Sequence, residues 1–290
     1  MVYPWKIRRV LFATDFLESS RLALDYAVAI ASRFDAALVM LHVVELSNPA
    51  REAEVETHTP SVSRRLAEQR LAGLASGVRR NGITVETLVL DGIPCETILK
   101  TIPTLSVDLL VIGIHGVHHG LEHLLIGSNA EHLLLSAECP TLTVGAHVLA
   151  GVDLGFHPRE ILFLSDLTPA SVAAAPYALQ LAREFQTELR VLQLMPERAV
   201  KDKTIQSKMA AEWDHQVTAE FGRLGESVDE WSKCSKRNVG LDDLQLIASS
   251  YSDDLILIGV KPETKLGRHL HASFAYYTLA HAACPVLSIG

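Results

Sequence analysis

The stretch Arg9-Val10-Leu11-Phe12-Ala13-Thr14-Asp15-Phe16-Leu17 recurs as Glu160-Ile161-Leu162-Phe163-Leu164-Ser165-Asp166-Leu167-Thr168. Each copy is a short apolar run closed by a hydroxyl residue and an aspartate. An apolar run of that length, bounded by polar residues, reads as a strand buried on both faces. Two further pairs keep the same order. Asp108-Leu109-Leu110-Val111-Ile112-Gly113 matches Asp254-Leu255-Ile256-Leu257-Ile258-Gly259, and Cys139-Pro140-Thr141-Leu142-Thr143-Val144-Gly145 matches Cys284-Pro285-Val286-Leu287-Ser288-Ile289-Gly290. The separations are 151, 146 and 145 residues, so a few residues have been gained or lost in loops. That period is too long for a solenoid repeat and is the size of a domain. The expected units are residues 1–148 and 156–290, with Ala146 to His157, containing Gly151 and Gly155, as the linker.

Helical patterns separate the strands. Ala23, Ala27, Ile30 and Phe34 share one helix face, with Ser19 or Ser20 placed to cap its start. Ala37 to Val44 reads as a second strand and Pro60 to Arg80 as a second helix, its apolar side formed by Ala67, Leu71, Leu74 and Val78. Ile83 to Leu90, Leu109 to Ile112 and Thr141 to Val144 read as further strands, and Pro94 to Ile102 and Gly127 to Ser136 as further helices. Buried strands alternating with helices imply a parallel, doubly wound sheet. Such sheets bind ligands beyond the C-terminal strand ends, where the strand order reverses. In the second copy Ala199 to Glu220 reads as a longer helix, with Met209, Trp213 and Val217 as a core-facing stripe.

The chain of 290 residues is 48% hydrophobic and carries a net charge of −8. That balance suits two packed domains and argues against a nonspecific nucleic-acid binder, which needs a basic surface. No apolar stretch approaches the ~18 residues of a membrane span, and the N-terminus does not read as a signal peptide. Cys95, Cys139, Cys234 and Cys284 lie far apart and form no CxxC pair. The expectation is a cytoplasmic protein with reduced thiols.

The segment that carries chemistry is Gly113-Ile114-His115-Gly116, ten residues, then Gly127-Ser128. Glycine lets backbone approach a ligand closely. Gly127-Ser128 opens a helix, where free N–H groups and the helix dipole favour phosphate. The second copy reads Gly259-Val260-Lys261-Pro262, nine residues, then Ala272-Ser273. Both inner glycines are gone, and proline has no N–H to donate. Lys261, Lys265 and Arg268 leave that segment open to another anion.

A strand ending in Thr-Asp, one ending in His-Val, a Gly-x-Pro helix start, a GxxG…GS segment and a Cys-Pro before the last strand together resemble the universal stress protein family. The resemblance spans nearly the whole chain twice, as in tandem members. It implies two flavodoxin-like domains, each a doubly wound five-stranded parallel sheet, paired through their last strands as an internal pseudo-dimer. Some members of the family bind ATP and some do not. By the resemblance Ala13 and Asp15 lie beside the adenosine and Val43 meets the adenine through its backbone. Gly113, His115 and Gly116 border the ribose and phosphates, and Gly127, Ser128 and Asn129 cradle the phosphates. Two departures stand out: ATP-binding members space the second and third glycines by nine residues, and they often carry a basic residue where this chain has Val117.

The functional expectation is a sensor or scaffold in stress response that binds adenine nucleotide, ATP, in the first domain, with unidentified protein partners and further homodimer or other homo-oligomer assembly left open. The alternative is a nucleotide-free regulatory module in which neither domain holds ATP. An enzyme of the related adenine-nucleotide α-hydrolase group is a third reading, with no substrate pocket legible. No Walker A segment and no GxSxG elbow is present, and no general base stands out, so at most slow ATP hydrolysis is expected. His115, His118, His119 and His123 cluster in the loop, and His119 and His123 have the i, i+4 spacing of helical metal ligands. The glycine between them opposes a regular helix, and solvent-facing loop histidines are the simpler reading. No metal is expected beyond a nucleotide-associated Mg. Arg64, Arg65, Arg70, Arg79 and Arg80 read as a solvated helix face.

Overall fold

The computed structural model describes residues 5–45, 60–114, 116–119, 123–148, 154–240, 243, 254–260 and 274–290, with backbone alone at 60–61, 116–119 and 123–126. In the first half the chain runs β1 (Arg9–Ala13), α1 (Glu18–Arg33), β2 (Ala37–Val44), α2 (Pro60–Arg79), β3 (Val85–Asp91), α3 (Pro94–Leu105) and β4 (Leu109–Gly113). It continues through a hairpin of β5 (Gly116–His119) and β6 (His123–Ile126) to α4 (Ser128–Ser136) and β7 (Thr141–Val144). The second half runs β8 (Glu160–Ser165), α5 (Pro169–Phe185), β9 (Glu188–Leu194), α6 (Glu197–Lys201), α7 (Lys203–Leu224), α8 (Asp229–Lys233), β10 (Ser235–Val239), β11 (Leu255–Gly259), α9 (Phe274–His281) and β12 (Val286–Ile289).

Ten strands form one sheet in the order β10-β9-β8-β11-β12-β7-β4-β1-β2-β3. Within each half of this sheet every pairing is parallel, and β7 and β12 join the halves antiparallel. This is the doubly wound architecture expected, built twice. At the join Leu142 pairs with Leu287, while Thr143 faces Val286 and Thr141 faces Ser288. The repeat alignment exchanges these last two pairs, so the Leu142–Leu287 pair marks a pseudo-twofold axis. The Thr143 hydroxyl donates to the Val286 carbonyl at 3.1 Å across the axis.

Strand side chains alternate between the two faces. Val10, Phe12, Leu38 and Met40 pack beneath α1 and α2; Ile161, Phe163 and Val191 pack beneath α5 and α7; and one apolar core runs under both halves on this face. Leu11, Ala13, Leu41 and Ile112 face the other way, onto α3 and α4. Leu162, Leu164, Ile256 and Ile258 face α9. The halves are also latched by side chains. The Trp5 amide donates to Gln180 Oε1 at 2.9 Å, and its ring meets Tyr177 edge-on. Phe34 packs edge-on against Phe185, and Phe156 of the linker packs between Tyr26 and Phe185. That linker residue is therefore an anchor rather than a free tether.

Several elements differ from the sequence expectation. α1 begins at Glu18 with Leu17 at its cap and no side-chain cap bond. Ser19 and Ser20 lie inside the first turn and are buried, and Ser20 pairs with Thr14 instead of capping. The second-half helix starts at Lys203, because Asp202 caps it by accepting from the Thr204 and Ile205 amides. Trp213 and Val217 are buried as expected, and Phe221 extends their stripe. α3 runs through Pro103 to Leu105. The hairpin β5–β6 was not legible as strands. His119 and His123 pair across its ladder, so their backbones are strand neighbours and not successive turns of a helix.

Candidate functional site

The strand order reverses between β4 and β1, and above their C-terminal ends lies a cleft of about 560 Å³. Its floor and walls include Ala13 and Asp15 after β1, Val43 on β2, Gly113 at the end of β4 and Asn129 in the first turn of α4. Five of the residues named from sequence thus converge on one cavity from four separate segments. Gly127 and Ser128 stand at the start of α4 next to Asn129 and are exposed, without lining the cleft. Gly116 opens the β5–β6 hairpin, and His115 lies outside the described residues.

The turn after β1 is built by its own side chains. Thr14 Oγ1 accepts from the Phe16 amide at 2.9 Å and lies 3.0 Å from Ser20 Oγ, while Asp15 Oδ1 accepts from the Leu17 amide at 2.9 Å. Phe16 takes a left-handed conformation, φ 64°, at the centre of this turn. The second half repeats it: Ser165 Oγ accepts from Leu167 N, Asp166 Oδ1 accepts from Thr168 N, and Leu167 has φ 62°. The hydroxyl–Asp signature thus has a structural role in both copies, which by itself assigns no ligand to either aspartate.

The glycines separate by the same comparison. A Cβ on Gly113 would lie 2.4 Å from the Ser19 carbonyl carbon, and one on Gly259 would lie 2.4 Å from the Ala170 carbonyl oxygen. Both glycines are required by the close approach of α1 and α5 to the sheet. Among the described residues a Cβ on Gly127 would meet nothing within 4 Å, and its φ of −54° suits any residue. The described residues therefore give no packing reason for glycine there. α4 also begins with no side-chain cap, so its first amides are not satisfied by a cap.

Sequence reading missed His42, Leu41, Pro94 and Ile98 as lining residues. His42 Nδ1 lies 2.7 Å from the Thr14 carbonyl, which can only accept. Nδ1 therefore carries the proton, and in the neutral ring Nε2 keeps a lone pair. The ring packs against Phe16, tilted by 35° with centroids 4.3 Å apart, and the Arg70 guanidinium sits 5.7 Å from the centre of the Phe16 ring. The His-Val ending of β2 was the available signal. Asp15 and Glu45 are the charged residues among the described lining, with no lysine or arginine.

The remaining candidates resolve as structure. The Cys139 thiol is buried and pushed up to about 12 by loss of solvent, and burial raises Cys284 as well. Arg64 bridges Glu68 and Asp91, and Arg79 donates to the Val85 carbonyl. Among the described residues no three His, Cys, Asp or Glu side chains are grouped to hold a metal ion, and no helix is long and apolar enough to cross a membrane.

Fold and cleft together define a tandem doubly wound α/β protein with a ligand-sized cavity at the switch point of its first half. The model of the universal stress protein family matches residues 6–145 and again 158–289, and the chain belongs to that family. Universal stress protein MJ0531 of Methanocaldococcus jannaschii is 31% identical over 140 residues, covering 47% of this chain and 81% of its own. Universal stress protein A homolog 1 of Coxiella burnetii is 30% identical over 141 residues, covering 47% and 95%. A crystal structure of a universal stress protein from Archaeoglobus fulgidus covers 98% of this chain and 96% of its own, with a TM-score of 0.70 and 15% identity, a likeness of fold.

Proposed function

We propose that the first domain, residues 1–148, binds ATP in the cleft above β1 and β4, and that the chain serves as a nucleotide-dependent sensor or scaffold in stress response. The observation that carries this reading is the convergence of Ala13, Asp15, Val43, Gly113 and Asn129 on one cavity beside a helix start whose glycine the protein itself does not need. In this arrangement the adenine packs by the β2 end near Val43, Asp15 faces the ribose, and the amides of Gly127, Ser128 and Asn129 receive the phosphates. His115 and Gly116 border the same phosphates. The domain of residues 156–290 binds ATP poorly or not at all, since Pro262 and Ala272 replace the inner glycines. A vigorous ATPase is not expected, since the described lining includes no lysine or arginine to stabilise charge on a transferring phosphoryl group.

A nucleotide-free regulatory module is favoured by one observation: the described lining of the cleft carries the acidic residues Asp15 and Glu45 and includes no lysine or arginine. The two readings part on bound nucleotide. ATP binding predicts adenine nucleotide released by heat from the purified protein, a melting temperature raised by added ATP, and weakened binding in Gly127→Val and Ser128→Ala. No released nucleotide and no ATP-dependent shift would instead establish the nucleotide-free module.

A further inference from the structure

The elements that shape the phosphate side of the cleft do not rest on the first domain alone. Ile114, directly after Gly113, is 4% exposed and belongs to the apolar cluster of the second half, together with Leu134 of α4. The same cluster contains Ala275 and Leu279 of α9. Ala130, in the first turn of α4, both lines the cleft and packs against that cluster. The backbone of β6, which leads directly into Gly127, runs beside α9. Gly145, after β7, completes the contact: a Cβ there would lie 3.5 Å from the Leu279 carbonyl oxygen.

By the repeat, Leu279 is the counterpart of Leu134, and α9 is the counterpart of α4. The two helices contribute to one apolar cluster at the join of the halves. In the repeat Ala272 stands where the first half has Gly127, and α9 shares its apolar cluster with α4 and runs beside the backbone of β6. We infer that α9 is a positioning element for the nucleotide site of the first domain, with Leu279 its central positioning residue, and that bracing this site is the role of the second domain's former phosphate helix. The inference rests on the nucleotide reading of the cleft for its binding consequence, and on the packing alone for its mechanical one.

The test compares three full-length proteins: wild type, Leu279→Ala, and Val217→Ala. Val217 is a fully buried residue of α7 on the opposite face of the sheet, so its truncation controls for general loosening of the second half. ATP affinity is measured by calorimetric titration, and hydrogen exchange is followed at the amides of 123–136. Leu279→Ala should weaken ATP by roughly 5- to 150-fold, the usual range for coupling between sites. It should also speed exchange across β6 and the first turn of α4. Val217→Ala should hold affinity within about twofold, since distant sites behave independently. Should Leu279→Ala not fold, Leu279→Val, which removes one methylene, reads out the same two quantities with a smaller change in the same direction. If wild type binds ATP and the Leu279 variants bind it equally well, the positioning role is overturned. If wild type binds no ATP, the functional reading fails, and exchange alone judges the brace: unchanged exchange at 123–136 overturns it, and faster exchange there only in the Leu279 variants upholds it.

Discussion

Replacing Gly113 by alanine separates the structural glycines from the one left clear of protein. The new Cβ would stand 2.4 Å from the Ser19 carbonyl carbon and 2.5 Å from both the Ser19 oxygen and the Ser20 nitrogen. Carbon atoms rest at ~3.5–4.0 Å, so α1 would have to retreat by about 1 Å. The obstacle is backbone, and no rotamer change relieves it. α1 buries Ala23, Ala27, Ile30 and Ala31 against the sheet, so moving it disturbs the core. Overpacking costs about 1–3 kcal/mol, and a rigid neighbour places this site near the upper end. At roughly 2–4 °C per kcal/mol for a chain of this class, the melting temperature falls by about 6–12 °C. Gly259→Ala meets Ala170 and Ser171 backbone at 2.4–2.7 Å and should cost about the same. Gly127→Ala meets no atom and should change stability by under ~1 kcal/mol, the scale of an N-cap substitution. Differential scanning calorimetry of the three variants reads this directly. A Gly113→Ala melting temperature within about 2 °C of wild type, or a Gly127→Ala loss as large as that of Gly113→Ala, would refute the packing assignment.

Other outcomes follow from the same contacts. Trp213 Nε1 donates to Ser171 Oγ at 3.1 Å inside the second-half core, so Trp213→Phe should lose about 1 kcal/mol for the bond, plus a packing loss, in urea unfolding. Burial, reinforced by neighbouring His147, holds the His281 imidazole below its ordinary 6.5. The unfolded chain therefore takes the proton first, and this group's contribution to stability is full above about pH 6.5 and is lost as pH falls toward the folded value. His281→Gln should flatten the melting temperature between about pH 7 and pH 5, and an unchanged profile would exclude His281 as a contributor. Cys139 and Cys284 are buried and their thiols raised, so Ellman's reagent at pH ~8 should label them only after unfolding.

The repeat carried most of the architecture because its strands are buried on both faces and tolerate few residue types. Ala37–Val44 and Thr141–Val144 have the bounds that their apolar runs suggest, since polar or glycine residues close each run. Helix starts were less legible. Ser19 and Ser20 have the composition of caps, yet Thr14 claims the Ser20 hydroxyl through a contact six residues away. Asp202 is a cap in fact, and its signal was masked by helix-forming residues on both sides. Of the cleft, the residues at strand ends could be named, because the order of motifs resembles the family's and the switch-point rule puts a ligand beyond those strand ends. His42 could not, because its role is set by the Thr14 carbonyl of a neighbouring strand. The hairpin Gly116–Ile126 has neither alternation nor length enough to declare itself, and its pairing is visible only in three dimensions.

The antiparallel join of β7 to β12 has a consequence for how such a protein can diverge. In a dimer of identical chains every substitution appears at both symmetry-related positions, so a helix cannot be a ligand site on one side of the axis and a support on the other. Here the partner is covalently attached and separately encoded. Gly127 and Ala272 can differ, while the Leu142–Leu287 pair keeps the axis itself nearly symmetric. Fusion of the two halves has thus turned a symmetry constraint into a division of labour written within a single gene.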